Sequence, residues 1–451
     1  MIFVRDKFIK MLISSLFFYF ATSILLQAEE RDPVGQVTVY RLDNIIPVEG
    51  EPLKNATILV RDGVIERMGK AVIIPDNAKV FDLRGTGSVI TPPLVLSHAN
   101  WLQSDRRGGG NQSQFIAADS LWLSESWAID MWKEGVGLVA VDPPGSGAPG
   151  RTSVIKVDTA GERPHTLVDD LHMKLTMATS ASAKKLIRDQ LKAAEKAIEG
   201  EKQAKKDWEK AREDWEKKQA AEKEKNAKDS EPKKEAKPKE EKPKEEGPPE
   251  TFTPPKIKEE LQAWVEWVRK ERSVQVHMRS ASDWLHWRQL MNEREEPHEV
   301  VLGFSSSTNL HQVVADIAGS GLRVYVPARI SYLPYTRNRV NIASEMLAEG
   351  CEKLVLIPSS LSLSGLQSLR INLSRMLDNN LTREAALRAL TLEPALALGQ
   401  EEVMGKLVVG GAASFVIWGG DFFDPLTEVD RVIIDGLEKF NRKEHEAEEQ
   451  R

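Results

Sequence analysis

From about Thr91 onward, short apolar runs recur between amphipathic helical stretches, and this alternation limits the fold more than any other feature of the chain. The runs are Leu94 to Leu96, Leu138 to Val141, Val154 to Val157, Val274 to Val276, Val300 to Leu302, Arg323 to Val326 and Leu354 to Ile357. A strand apolar on both sides must be covered on both faces, and helices between successive strands do this in a parallel sheet. The expectation is an α/β protein with a (β/α) TIM-type barrel. Before Thr91 the texture is different: β-type runs alternate with turn signals, and Asp62-Gly63 between Ala56 to Arg61 and Val64 to Met68 is a hairpin signal. Strand texture returns at Ser414 to Trp418 and Arg431 to Ile434. The two β-rich ends are expected to pair into one small β-sandwich domain.

Composition narrows the class. Among 451 residues, 62 Lys and Arg stand against 68 Asp and Glu, a net charge of −6, which argues against a nucleic-acid binder held by bulk positive charge. One cysteine, Cys351, excludes an intrachain disulfide and a multi-cysteine zinc site, so any metal must use His, carboxylate or lysine-derived ligands. Arg5, Lys7 and Lys10 precede the apolar run Met11 to Leu26, and Leu26-x-Ala28 is a small-residue cleavage site. This pattern predicts a signal peptide over 1–28 and an exported, periplasmic or secreted protein, with membrane attachment only if the leader is uncleaved.

One segment cannot build a core. From 183 to 255 the chain is dominated by Lys, Glu and Ala, then by Lys, Glu and Pro. The first half predicts a helix carrying Glu-to-Lys pairs such as Glu213 to Lys217, and the second, KKEAKPKEEKPKEEGPPE, predicts disorder. Trp208 and Trp215, seven apart in DWEKAREDWEKK, either dock on a protein partner or form one apolar face of a solvated helix. The expected layout is leader 1–28, β-domain 29–91, barrel 92–182, charged insertion 183–255, barrel 256–404, β-domain 405–437 and charged tail 438–451.

The stretch NATILVRDGVIERMGKAVIIPDNAKVFDLRGTGSVITPPLVLSHANW, Asn55 to Trp101, resembles the opening of the amidohydrolase superfamily, in particular its imidazolonepropionase-like branch. There a hairpin region leads through an Asp-x-x-Gly turn and a Thr-Pro-Gly step into a first barrel strand ending in His-x-His. Asp82 to Gly85, Thr91-Pro92 and His98 occupy those places here, with Pro93 for the Gly. The stretch Leu381 to Pro425 is similar to the family's final helices and its return to the β-domain, although its Gly-Lys-x-Ala-Asp reads Gly410-Gly411-Ala412-Ala413-Ser414. The resemblance implies one or two divalent metals at the C-terminal mouth of the barrel. These would be held by the first-strand His pair, a carbamylated lysine in many members, and His residues on strands five and six, while an eighth-strand Asp assists the attacking water.

Residue by residue, His98 stands in the first-strand pair, but Asn100 replaces its second histidine, and an amide oxygen is a weaker zinc ligand than imidazole. His277 follows Val274 to Val276 as the fifth-strand candidate. Lys156 is the strand lysine considered for carbamylation, an ion-paired lysine being its ordinary reading. Ser305 to Ser307 stand where the sixth-strand His belongs, with His311 further along, and Pro358-Ser359-Ser360 where the eighth-strand acid belongs. Asp283 and Asp378 lie in helix-like contexts that suit solvent exposure. The candidate ligands are therefore His98, His277, Asn100 and Lys156, with either no cofactor or one divalent metal, zinc. Loss at three metal positions favours a non-catalytic binding or scaffold protein. The alternatives are a one-metal hydrolase of carbon–nitrogen bonds other than peptide bonds, and a tether or coiled-coil arm formed by the charged tract.

Overall fold

A computed structural model describes residues 37–103, 109–124, 126–159, 164–228, 247–303 and 308–450. The leader, most of the Lys/Glu/Pro stretch and Ser305 to Ser307 lie outside the described residues. The chain divides into two compact units: the first takes the residues up to Pro93 with Glu402–Phe422 and Thr427–Arg451, and the second takes Leu94–Glu401 with Phe423–Leu426.

The first unit opens with β1 (Val37–Ile45), β2 (Leu53–Arg61), β3 (Val64–Gly69), β4 (Lys79–Asp82) and β5 (Val89–Thr91). The β2–β3 hairpin turns at Asp62 and Gly63, both at positive φ (50° and 77°) as a two-residue turn matched to strand twist requires. On its other side β1 pairs in parallel with two strands in succession, β4 through Thr38 to Arg41 and β5 through Asn44 and Ile45.

In the second unit, β6 (Leu94–Leu96), β7 (Val136–Val141), β8 (Ser153–Lys156) and β9 (His165–Val168) form a four-stranded sheet. A second sheet is wholly parallel, in the order β10 (Met173–Thr176), β11 (Val274–Met278), β12 (His298–Leu302), β13 (Val324–Pro327) and β16 (Leu354–Ile357). A small hairpin, β14 (Ser331–Tyr332) with β15 (Arg339–Val340), lies between the last two. The expected closed barrel is thus only partly realised among the described residues. The β6–β7 pair is parallel, but β8 and β9 run antiparallel, and the ladder does not close into one ring. The reason is local: Pro143-Pro144 end β7, no helix follows, and the chain turns straight back into β8.

Helix α1 (Trp127–Lys133) precedes β7, and the 48-residue α2 (Ala181–Lys228) leaves the sheet after β10. The tryptophans of α2 are half-buried against a later segment of this chain itself. Trp208 Nε1 donates to the Pro249 carbonyl (3.0 Å) and its ring lies 5.9 Å from Phe252, while Gly247 packs its backbone on the Trp215 indole. The chain then enters α3 (Glu259–Val268), which buries Trp264 and Trp267, and α4 (Ala281–Met291) follows β11. Asp283, expected to be exposed, is buried: it closes a capping box on α4, accepting from the Arg279 and Ser280 amides.

Three strands return to the first unit: β17 (Phe415–Trp418), β18 (Val429–Ile434) and β19 (Leu437–Asn441), the last running into the stretch read as a charged tail. Hydrogen bonding gives one eight-stranded sheet, β19-β18-β17-β5-β1-β2-β3 with β4 branching from β1. The fork at β1 replaces the separation into two sheets. Tyr40, Ile58 and Ile65 from one half meet Phe415, Ile417 and Ile433 from the other in one buried core.

Candidate metal site in the second unit

The site is built from three strand ends. His98 follows β6 in a segment tied to β7 by the Ala99 amide donating to the Ala140 carbonyl (3.0 Å). Asp142 is the residue directly after β7, held there because the prolines behind it stop the ladder. His277, near the end of β11, is in register with Thr176 of β10 and Val301 of β12. Period-two alternation puts Lys174, two residues before Thr176, on the same face of the sheet.

These residues converge. His98 Nε2 lies 3.3 Å from His277 Nε2, and one ligand atom from each of His98, Asp142 and His277 lies within 4.8 Å of the others. Asp142 Oδ2 is 3.9 Å from His277 Nε2. Lys174 Nζ donates to Asp142 Oδ2 at 2.5 Å and to the Pro143 carbonyl at 2.8 Å. His98 and Asp142 are fully buried, Lys174 nearly so, and the His277 side chain keeps 19% exposure, which gives the cluster contact with solvent.

Burial sets the protonation states. It pushes His98 down to about 4 and His277 well below the ordinary histidine value, so both imidazoles are neutral at pH 7. Burial alone, the largest single effect, would raise the Asp142 carboxyl, but the Lys174 charge and hydrogen bond together with the two neighbouring imidazoles outweigh it and leave Asp142 below the usual carboxylate range. The result is two neutral imidazoles and one carboxylate, the donor forms a divalent cation requires. The spacing also fits. Two nitrogens each ~2.05 Å from a tetrahedral zinc lie about 3.3 Å apart. Asp142 Oδ1 and His98 Nδ1 are buried without a hydrogen-bond partner, which a bound cation and a reoriented ring would remedy. Among the described residues this is the one such group of three His, Cys or acidic ligands.

Below the cluster the sheet interior is locked. Tyr325 presents its ring edge-on to His98 (5.3 Å between centroids) and donates to Glu299 (2.5 Å); Gln275 donates to the Tyr325 hydroxyl (3.0 Å). Arg323 bridges Glu299 and Glu393, and Val301, Val355 and Ile357 fill the adjoining core.

Of the sequence candidates, His98 and His277 come together. Asn100 instead opens a short 3-10 helix, Asn100–Leu102, two residues beyond His98. Lys156 lies opposite Leu138 on β7, four residues and so about 13 Å down the strand from Asp142. His311 sits in the 3-10 helix Leu310–Val313 with Nδ1 near the Thr308 carbonyl. Ser359 follows β16 and accepts from Asn372. Sequence reading missed Asp142 and Lys174. Asp142 was visible as the polar residue directly ending a buried run, whereas Lys174 lies in HMKLTMATS, whose mixed polarity does not announce a strand.

No family model matches the chain, and no curated protein matches it. Solved structures do. An amidohydrolase from Thermotoga maritima MSB8 is similar over 90% of this chain and 100% of that one, with a TM-score of 0.65 at 19% identity. A beta-aspartyl dipeptidase from Fervidobacterium islandicum AW-1 is similar over 90% and 97%, with a TM-score of 0.50 at 12% identity. At these identities the likeness is one of fold: the chain has an α/β fold of the amidohydrolase kind.

Proposed function

We propose that the chain is a metal-dependent hydrolase that holds one divalent cation, zinc, on His98, His277 and Asp142, and acts on a carbon–nitrogen bond other than a peptide bond, such as that of a cyclic amide. The observation that supports this is the three-donor cluster itself, since three protein ligands with an open fourth position are what a catalytic zinc uses. A cation there supplies Lewis-acid polarisation of a carbonyl and a bound water acidic enough to attack at neutral pH. The chain does the rest. The two imidazoles enter as neutral donors without losing a proton, and Lys174 anchors Asp142 through Oδ2, the oxygen nearest His277, while Oδ1 has no hydrogen-bond partner. Tyr325 fixes the plane of His98, and a substrate approaches from the solvent side of His277. The end of β16 carries Pro358-Ser359-Ser360 and no acid, so the proton shuttle of the resembled family is lacking at that position and turnover is slow.

A second reading, a non-catalytic binding or scaffold protein, is favoured by the Lys174–Asp142 pair, which balances the buried carboxylate without any cation. Elemental analysis of the mature protein, purified without chelator beside His98→Ala, separates the two. About one equivalent of divalent metal, lost in the variant, supports the hydrolase and justifies a cyclic-amide screen; no metal in either sample sinks it in favour of the scaffold. We further read the motif order from Asn55 to Trp101 as that of the imidazolonepropionase-like branch, and the run Met11 to Leu26 as an export leader. A mature N-terminus elsewhere than after Ala28 would overturn the cleavage assignment.

A further inference from the structure

We propose that the second unit carries an anion subsite formed by Arg329, Arg339 and Arg375, and that its ligand presents a carboxylate or phosphoryl group there. Arg329 lies two residues beyond β13, Arg339 begins β15, and Arg375 is in the last turn of the helix Leu369–Leu377. All three line one cavity of about 590 Å³, together with Tyr332, Ser359 and Asn372. That volume is in the range of small-molecule sites.

Two observations set these arginines apart. Elsewhere in the unit, buried or half-buried arginines are matched to acids: Arg151 and Arg272 to Asp170, and Arg323 and Arg388 to Glu393. Among the described residues, none of Arg329, Arg339 and Arg375 has a carboxylate within 4 Å, although Asp378 lines the same cavity. Three cations against one anion leave the cavity positive. In addition, the Arg329 Nε atom is buried without a hydrogen-bond partner, a cost that an incoming oxygen would remove. Guanidinium groups pair with carboxylate and phosphate through two parallel hydrogen bonds, so both anions fit the same chemistry.

The position gives the subsite its role. β11, β13 and β16 run parallel, so Arg329, Ser359 and His277 all lie toward the same, C-terminal edge of one sheet. A small amide bearing an acidic group could be held by that group at the arginines. This assignment of the anion to the substrate rests on the hydrolase proposed above, but anion binding itself is independent of any metal.

The test is calorimetric titration of the chelator-treated full chain with N-acetylglycine, its neutral methyl ester and inorganic phosphate, using wild type, Arg329→Gln, Arg375→Gln and His98→Ala. At least one anion should bind, the ester at least tenfold more weakly than the acid if the acid binds, with either arginine substitution costing about tenfold and His98→Ala leaving the Kd unchanged. Tighter binding of N-acetylglycine assigns a carboxylate and tighter binding of phosphate a phosphoryl group. Absence of binding by both anions overturns the subsite, and so does an ester that binds as well as the acid, or wild-type affinity in both arginine variants. Arg375 is exposed, so its variant stays interpretable if Arg329→Gln folds poorly. Because no metal is present, a negative elemental analysis leaves this result standing.

Discussion

Replacing Lys174 by methionine should be the most informative change in the molecule. The Asp142 side chain is fully buried and that of Lys174 is 5% exposed, and the ammonium donates both to Asp142 Oδ2 and to the Pro143 carbonyl. Methionine fills similar volume but leaves the carboxylate without its counter-ion, which for a buried pair costs about 3–5 kcal/mol. Removing both charges in Asp142→Asn/Lys174→Met should cost less than the two single changes together, by at least ~2 kcal/mol, because the second loss relieves the first. Urea unfolding followed by tryptophan fluorescence, on the four members of the cycle, measures this. Zinc adds a second readout. With Lys174 gone the cluster keeps one negative charge and three donors, so zinc at 100 times its Kd should return about 2.7 kcal/mol. A loss below ~1 kcal/mol in Lys174→Met, with additive single changes, would refute the view that this pair is what keeps Asp142 charged in the interior.

Acidification provides an independent check. His98 is held near 4 against an ordinary 6.5, so between these values the unfolded chain binds the proton that the folded chain refuses, and stability falls as pH drops from 6.5 toward 4, by about 3 kcal/mol. A urea midpoint that stays flat across this window in wild type, or falls equally in His98→Ala, would contradict the assignment. Asp142→Asn should weaken zinc binding at least tenfold, read by competition with a chromogenic chelator. Beside α2, Gly247→Ala would drive a methyl into the Trp215 indole, so the segment 247–252 should lift away, with a red-shifted tryptophan emission and faster proteolysis near Pro249. Unchanged emission and cleavage would show that this segment does not cover Trp215.

The sequence disclosed strands more readily than it disclosed their directions. Apolar runs such as Leu94 to Leu96 and Leu354 to Ile357 became β6 and β16 because full burial on both faces permits little else. The antiparallel β8 and β9 were not legible, since an apolar run carries no sign of direction, and the short Pro-Gly link from β7 to β8 was the available clue. For the site, His98 and His277 could be named because histidines after buried runs are few. Asp142 satisfied the same rule and was overlooked because the resembled family places its acid on the eighth strand. Lys156 and Lys174 are both strand lysines; which one meets the carboxylate depends on register, and that is set by tertiary pairing.

The first unit's sheet also imposes an order of events on synthesis. β17 is hydrogen-bonded to β5 on one side and β18 on the other, yet about 320 residues separate Thr91 from Phe415 in the chain. At ~5–20 residues per second, β5 emerges roughly 16–65 s before its neighbour exists. During that interval β1, β2 and β3 have a ladder but no complete core, and β5 offers an open backbone edge to any passing strand. The nascent chain therefore depends on a chaperone or other partner to shield that edge, and the last thirty-odd residues act as the seal that ends its exposure.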